Sequence, residues 1–298
     1  LIKSVKADIV IAEGFFQFTP WALAYAIFNR KPILIAYERT AHTERNCPAW
    51  RRMYRKFVNL FVDGYVVNGI LTKQYLVSQG VSENVIFTGA MCADSFHLAE
   101  KVKMIKPEER LFFKRELHIE KKEIIYLYVG QLITRKGVAY LLDAWKEHIL
   151  SHPNDHLLIV GEGPLFDDFV QGYGFMNSIS FVGNIDYSRI SEYYAVADVF
   201  VIPTLEDNWS LVVPEAMACG LPIACSVYNG CHPELVHEGK NGVLFDTLNK
   251  ASLLYALSYF HSVDLELFGK ESMKIEQKYN PQNTARNIFK AIETVAEK

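Results

Sequence analysis

Short runs of β-branched and other apolar residues, each followed by a longer amphipathic stretch, recur through most of this chain, and no other feature limits its fold as much. Ala7 to Ala12, Pro32 to Tyr37, Gly64 to Val67 and Val85 to Thr88 read as strands. Between them Pro20 to Asn29, Ala49 to Phe61 and Leu71 to Gln79 read as helices, with Pro20 suited to a first helical turn. The apolar runs are continuous rather than alternating, which suits parallel strands covered on both faces. Strand, helix, strand in this order predicts an α/β fold built on open parallel sheets.

The rhythm breaks between Met91 and Glu120, where charged residues crowd the sequence, and then restarts. Strands are expected at Ile124 to Val129, Leu157 to Val160, Ile179 to Val182, Val199 to Ile202, Pro222 to Cys225 and Gly242 to Phe245. Helices are expected near 138–149, 165–173, 188–196, 211–219 and 232–237, with a last one from Asn283 to Ala296. A length of 298 residues fits about two domains. The break places them at 1–117 and 118–281, and the final helix, 282–298, is free to pack back on the first.

Half the residues are apolar and 22% are charged, which excludes a disordered chain. The net charge of −3 is too balanced to nominate nucleic acid as a partner. It is unevenly spread: residues 1–118 carry 17 Lys+Arg and 11 Asp+Glu, leaving 14 and 23 of the totals of 31 and 34 for the rest. The basic half includes a helix, 49–61, on or beside which Arg45, Arg51, Arg52, Arg55 and Lys56 crowd Trp50, Met53, Tyr54 and Phe57. A solvated helix face is one reading, and attraction to an anionic lipid surface or anionic acceptor is the other. Five cysteines without a C-x-x-C pair argue for a reducing cytosol and against a structural zinc. The most apolar stretch, residues 7–28, is interrupted by Asp8, Glu13, Gln17 and Pro20, so no transmembrane span or signal peptide is expected. The chain opens with Leu1 directly before a buried-looking strand, so its first domain is expected to be incomplete at its start.

Three segments carry candidate chemistry. In YVGQLITRKG a strand ends at Val129 and a loop presents Arg135 and Lys136 just before a helix. Cations beyond the carboxyl end of a strand suit a phosphate group, an ordinary exposed loop being the alternative. In VIPTLEDNWSLVVPEAMACGLP, Pro214 belongs to a first helical turn, so a helix starts near Leu211. That leaves the amides of Ser210 to Val213 as unpaired donors at the positive end of the helix dipole. Asp207 precedes this start, and Glu215 lies a turn inside it among apolar neighbours, where the diol of a sugar or ribose could satisfy it; a structural glutamate is the rival reading. The third segment, NGCHPELVHEGKNGVLF, is a glycine-containing loop, a short helix and a turn. VGEGP lacks the third glycine of a dinucleotide fingerprint, and neither a phosphate-binding P-loop nor an Asp-x-Asp metal motif is present.

Taken in order, VGQL…RKG, LLIVGEGP, ISFVGN, YYAVADVFVIPT, EDNWSLVVPEAMACGLPIAC and NGCHPELVHEGKNGVLF resemble the donor domain of retaining glycosyltransferases of family four, over about 120 residues from Ile124 to Asp246. The resemblance implies the GT-B architecture: two Rossmann-like domains with parallel sheets facing across a cleft, the first truncated here. It implies transfer of a sugar from a nucleotide-diphosphate sugar to a saccharide, lipid-linked or other hydroxyl acceptor, with retention, without a metal or other cofactor, in cell-surface polysaccharide or glycolipid synthesis. By the same resemblance Lys136 contacts the donor diphosphate, Glu215 holds the ribose, and Asp207 meets the transferred sugar unless Glu206 reaches it instead. Gln131 stands where relatives often have Arg, and Arg135 is the candidate substitute. Gly161, Asn208 and the amides of Ser210 and Leu211 complete the donor side, with Val182, Gly183 and Asn184 beside the nucleobase. The first half matches more loosely; Glu38 occupies a position usually held by His, and His42 follows it, so these two are the acceptor-side candidates. A cytoplasmic enzyme, with peripheral contact at the inner membrane face through helix 49–61, is the resulting expectation. A nucleotide-sugar epimerase and a non-catalytic nucleotide-sugar-binding subunit or fragment are the alternatives.

Overall fold

The computed structural model describes residues 7–297; the opening stretch 1–6 and Lys298 lie outside it. The chain forms two compact units, one running up to Cys92 and resuming at Pro281, the other spanning Ala93–Asn280.

The first unit holds β1 (Val10–Glu13), α1 (Thr19–Asn29), β2 (Ile33–Tyr37), α2 (Ala49–Asn59), β3 (Gly64–Val67), α3 (Ile70–Ser78) and β4 (Ile86–Phe87). The strands pair in parallel in the order β1-β2-β3-β4. β1 starts at Val10, three residues later than the apolar run alone indicates. Pro20 sits in the first turn of α1, where it has no hydrogen bond to lose, and Arg30 ends the helix in a left-handed conformation. Phe15, Ile33, Ile35, Tyr65 and Val67 belong to the core on one face of this sheet.

The second unit opens with two helices, α4 (Ser95–Met104) and α5 (Pro107–Glu116), in the charged stretch that interrupts the sequence rhythm. Then follow β5 (Ile125–Val129), α6 (Val138–Ser151), β6 (His156–Val160), α7 (Phe166–Tyr173), β7 (Ile179–Gly183), α8 (Ile190–Val196), β8 (Val199–Ile202), α9 (Val212–Ala218), β9 (Ile223–Ser226), α10 (His232–Leu235), β10 (Gly242–Phe245), α11 (Lys250–Tyr259) and α12 (Leu265–Glu276). The units divide after Cys92 rather than near residue 118. The reason is packing: Phe113 of α5 sets its ring edge-on to Tyr193 of α8 at 5.1 Å, and Ser95 of α4 donates a hydrogen bond to Glu276. Pro107 in the first turn and the Glu109 carboxylate, which accepts from the Lys106 amide, start α5 despite its charge.

The second sheet is also all-parallel, in the order β10-β9-β8-β5-β6-β7. After β5 the chain moves outward one way, and at β8 it returns to the other side of β5. β5 and β8 therefore flank the switch point of the sheet, where loops beyond the carboxyl ends of strands diverge and leave room for a ligand. The last helix, α13 (Pro281–Ala296), belongs to the first unit, where Ala291 and Val295 pack with Leu34 and Val66 on the other face of the four-stranded sheet. Among the described residues no helix is long and apolar enough to cross a membrane.

Candidate functional site

The loops leaving β5 and β8 are stitched together at the switch point. The carbonyl of Arg135 accepts from the amide of Leu205 at 2.8 Å and from the Thr204 hydroxyl at 3.1 Å. Gly137 adopts a φ of +69°, and a Cβ there would lie 2.0 Å from the Pro203 carbonyl oxygen. Only glycine permits the RKG loop to close so tightly on the β8 loop.

This closure delivers Lys136 to Asp207: the ammonium lies 2.5 Å from Asp207 Oδ2, with both side chains about seven-eighths buried. The same carboxylate accepts from the Ser210 hydroxyl at 2.7 Å and the Trp209 amide at 3.2 Å. Burial pushes the Asp207 carboxyl up, but the Lys136 charge and these donors outweigh it and hold it below its ordinary range. Arg135 is half exposed, 4.0 Å from the same oxygen, and donates to the Glu206 carbonyl. The loop after β9 joins in: the Asp207 carbonyl accepts from the Gly230 amide at 2.9 Å. A Cβ on Gly230 would lie 2.1 Å from the carbonyl of Asn208, so this second glycine fixes the approach.

The start of α9 departs from the expected row of four open amides. The Val213 amide is bonded to the Ser210 carbonyl, and that of Ser210 points at the Cys231 sulfur. A tight first turn and a neighbouring thiol consume those two. The Leu211 and Val212 amides have no backbone acceptor among the described residues.

Glu215, one turn further along α9, borders a cavity of about 620 Å³ together with Gln131, Gly161, Glu162, Asn184 and Tyr187. Its two oxygens accept from the hydroxyls of Tyr187 and Tyr194 at 3.3 and 3.2 Å. Burial raises the Glu215 carboxyl above its ordinary range, and the two tyrosines only partly counter it. The floor of this cavity is glycine by necessity: Gly161 has a φ of +135°, and a Cβ there would lie 2.0 Å from the Gly130 carbonyl oxygen. The Gly161 amide donates to the Gly183 carbonyl, which brings the β7 end, with Val182 and Asn184 on either side of that glycine, beside the β6 loop.

The sequence candidates thus fall into two adjoining groups along α9. Lys136, Arg135, Glu206, Asp207, Asn208, Ser210 and Leu211 gather at its start, and Gln131, Gly161, Asn184 and Glu215 line the cavity. Tyr187 and Tyr194, which hold Glu215, escape sequence reasoning: Tyr187 comes from a turn without a motif, and nothing in the YYAVADVFVIPT block marks Tyr194 as a partner of Glu215. Glu38 and His42 lie in the first unit. Glu38 borders a separate cavity of about 540 Å³, with Glu13, Phe15, Tyr37, Arg39 and Asn68, and its carbonyl accepts from Asn68 and Thr72. His42 sits in the following turn, its carbonyl accepting from Arg45 at 2.5 Å. Arg55 is not part of a solvated helix face: it is buried, grips the two oxygens of Glu44 at 2.7 and 3.0 Å, and lies within 6 Å of the ring centres of Phe15, Phe16 and Tyr37. Burial pushes the Glu44 carboxyl up, and the bonds to Arg55 and Cys47 with the Arg55 charge bring it below its usual range.

Comparison with known proteins agrees with the two-sheet arrangement. The chain superposes on the Anabaena protein HepE in complex with UDP with a TM-score of 0.80 at 16% identity, over 98% of this chain and 80% of that one. It also superposes on sucrose-phosphate synthase from Thermosynechococcus elongatus with a TM-score of 0.72 at 21% identity, over 97% and 73%. At such identities the likeness establishes the fold, GT-B. In sequence, the chain is 31% identical to an uncharacterized glycosyltransferase of Methanocaldococcus jannaschii over 50% of this chain and 39% of that protein. It is 29% identical to alpha-monoglucosyldiacylglycerol synthase of Acholeplasma laidlawii over 45% and 34%. It is 27% identical to a sulfoquinovosyl transferase of Arabidopsis thaliana over 68% and 41%. The chain spans less than half the length of each of these three relatives. The family model for glycosyl transferases group 1 matches residues 109–266, which contain every residue of the two groups along α9. With that stretch amounting to more than half of the sequence, the chain belongs to the glycosyl transferases group 1 family.

Proposed function

We propose that the second unit binds a nucleotide-diphosphate sugar and that the protein transfers the sugar, with retention of configuration, to a hydroxyl of a saccharide or lipid-linked acceptor in polysaccharide or glycolipid synthesis. The observation that carries this reading is the convergence of Lys136 with the start of α9, secured by Asp207 and Ser210. When the glycosidic C–O bond breaks, its electron pair goes to the leaving diphosphate oxygen. Lys136, Arg135 and the Leu211 and Val212 amides would face that growing charge as preorganised donors. Asp207 holds the Lys136 ammonium in place, and it or Glu206 is the carboxylate that would meet the transferred sugar. Glu215 is a half-buried carboxylate held only by two tyrosine hydroxyls at 3.3 and 3.2 Å, and a ribose diol supplies two further donors. The fixed positive groups make a divalent ion at the diphosphate unnecessary in this scheme, so transfer should survive chelation. HepE, solved with UDP, and the synthase and transferase names among the relatives support a sugar-nucleotide donor.

The cavity beside Glu38, bordered by Phe15, Tyr37 and Asn68, is the proposed acceptor pocket. On α2, Trp50, Met53 and Phe57 are exposed alongside Arg51, Arg52 and Lys56, which supports peripheral contact with an anionic membrane surface on the cytoplasmic side. The test of the donor assignment is a thermal-shift screen of uridine and guanosine diphosphate sugars on wild type and Lys136→Ala, followed by product analysis. A donor that stabilises the wild type, and a product carrying its sugar with unchanged anomeric configuration, are expected. Binding with neither transfer nor hydrolysis would favour a non-catalytic subunit, and conversion of the donor without an acceptor would favour an epimerase.

A further inference from the structure

At the opposite end of the second sheet from the proposed donor site, before β5 and β6 begin, three side chains converge. Asp155 precedes β6, His148 lies in the last turn of α6, and His261 lies in the short turn Phe260–Ser262 after α11. Asp155 Oδ2 is 2.8 Å from His148 Nε2 and 2.9 Å from His261 Nε2, and the three atoms lie within 4.8 Å of one another. The other oxygen, Oδ1, accepts from the Ile124 amide, so Oδ2 is the one left for the imidazoles. His148 and Asp155 are fully buried, and the His261 side chain is 16% exposed, which gives the cluster a way in from solvent.

His261 sets the chemistry. Its Nε2 faces Asp155 and its Nδ1 faces Glu123 Oε1 at 3.5 Å, so a carboxylate stands at each ring nitrogen. A cation between His261 Nε2 and Asp155 Oδ2, with Nδ1 turned to Glu123, gives each ring nitrogen a partner. The same cation also suits His148, whose Nε2 shares that oxygen. His152 stacks on His261 with ring centres 3.9 Å apart and closes one side of the cluster.

We infer that His148 Nε2, Asp155 Oδ2 and His261 Nε2 form a site for a divalent transition-metal ion of the Zn²⁺ type. Two imidazoles and one carboxylate select zinc-like ions over Ca²⁺ or Mg²⁺, and water completes the shell. Donors around a tetrahedral zinc are about 3.3 Å apart, given bonds of roughly 2.0–2.1 Å. The two Asp155 contacts, at 2.8 and 2.9 Å, therefore open by about half an ångström on binding. Glu123 orients the His261 ligand through its other nitrogen, whereas His148 Nδ1 has no hydrogen-bond partner. Outer support for one imidazole instead of two places the affinity about 10–100-fold below that of a fully supported site. An ion here ties the end of α6, the start of β6 and the turn after α11, so its effect is on stability and not on transfer. The site is independent of the donor assignment, which can fail without affecting it.

The test uses the full chain, stripped with chelator and dialysed, and titrated with ZnCl₂ by calorimetry; Co²⁺ provides the optical absorption of a four-coordinate site. One ion per chain is expected, with a rise in melting temperature of about 5 °C at zinc well above the dissociation constant. His261→Ala should abolish both the heat and the shift, and Glu123→Gln should weaken binding about tenfold while leaving the ion-free fold intact. Absence of saturable binding to the wild type, or equal binding by His261→Ala and by Glu123→Gln, would overturn the inference.

Discussion

Lys136→Ala separates the charge that serves the diphosphate from the charge that serves the fold. The ammonium is paired with an Asp207 side chain that is 13% exposed and keeps two other donors, the Ser210 hydroxyl and the Trp209 amide. Removing one member of a fully buried pair costs about 3–5 kcal/mol. With partial exposure and two donors remaining, the loss of stability here should be about 1–2 kcal/mol. The kinetic loss should be larger. A fixed donor aimed at charge that develops in the transition state contributes ~3–4 kcal/mol, roughly two to three decades in rate. The assay is the initial rate of sugar transfer from whichever nucleotide sugar most stabilises the wild type, with the folded fraction of each protein followed by circular dichroism. The expected variant is folded, melts slightly earlier, and turns over about 100–1,000-fold more slowly. A folded variant with a near-normal rate would refute the phosphate role of Lys136, and a variant that simply unfolds would show that the pair is mainly structural.

Four further outcomes follow from the same geometry. Glu215 has a folded-state carboxyl raised above its ordinary 4.5, so its neutral form favours folding below that pH and the benefit fades as pH rises through the folded value. Glu215→Gln should therefore melt higher than wild type at pH 7, match it in acid, and bind the donor nucleotide more weakly; equal melting at pH 7 would contradict the burial argument. Asp207 behaves oppositely: held below 3.8, it contributes stability above that pH which is lost as pH falls through the lowered value, and Asp207→Asn should flatten that acid limb in melting curves. Gly161→Ala places a Cβ 2.0 Å from a backbone oxygen at a φ of +135°, so it should destabilise the second unit by more than ~3 kcal/mol in urea unfolding and impair nucleotide binding. Glu44→Gln leaves the buried Arg55 guanidinium without its counter-charge and should cost the first unit about 3 kcal/mol, measured the same way.

The strands were legible because a parallel strand covered on both faces must be apolar throughout, and Gly64–Val67 and Val199–Ile202 keep the limits that their sequence indicates. Charged helices were not. α4 and α5 carry too many lysines and glutamates for an apolar stripe to announce them, and their few buried residues, such as Leu98, Val102 and Phe113, decide which unit they join. That is why the divide between the units lies after Cys92 and not near residue 118. The chemistry followed the same rule. Lys136, Asp207 and Glu215 stood out because a cation beside a helix start and a carboxylate among apolar residues are costly without a use. Arg55 was misread as surface because its partner, Glu44, comes from a turn eleven residues away in sequence, which helical periodicity does not register. Tyr187 and Tyr194 were silent for a similar reason, since a tyrosine hydroxyl reaching a glutamate from another element leaves no pattern along the chain.

A crystal structure of the wild-type chain with the nucleoside diphosphate that stabilises it best decides whether Lys136 and the start of α9 grip a diphosphate. The diphosphate is expected within hydrogen-bonding distance of Lys136 Nζ and the Leu211 and Val212 amides, with the ribose hydroxyls on Glu215. A nucleotide bound elsewhere, with Lys136 still closed on Asp207 and Glu215 held only by its two tyrosines, would contradict that expectation.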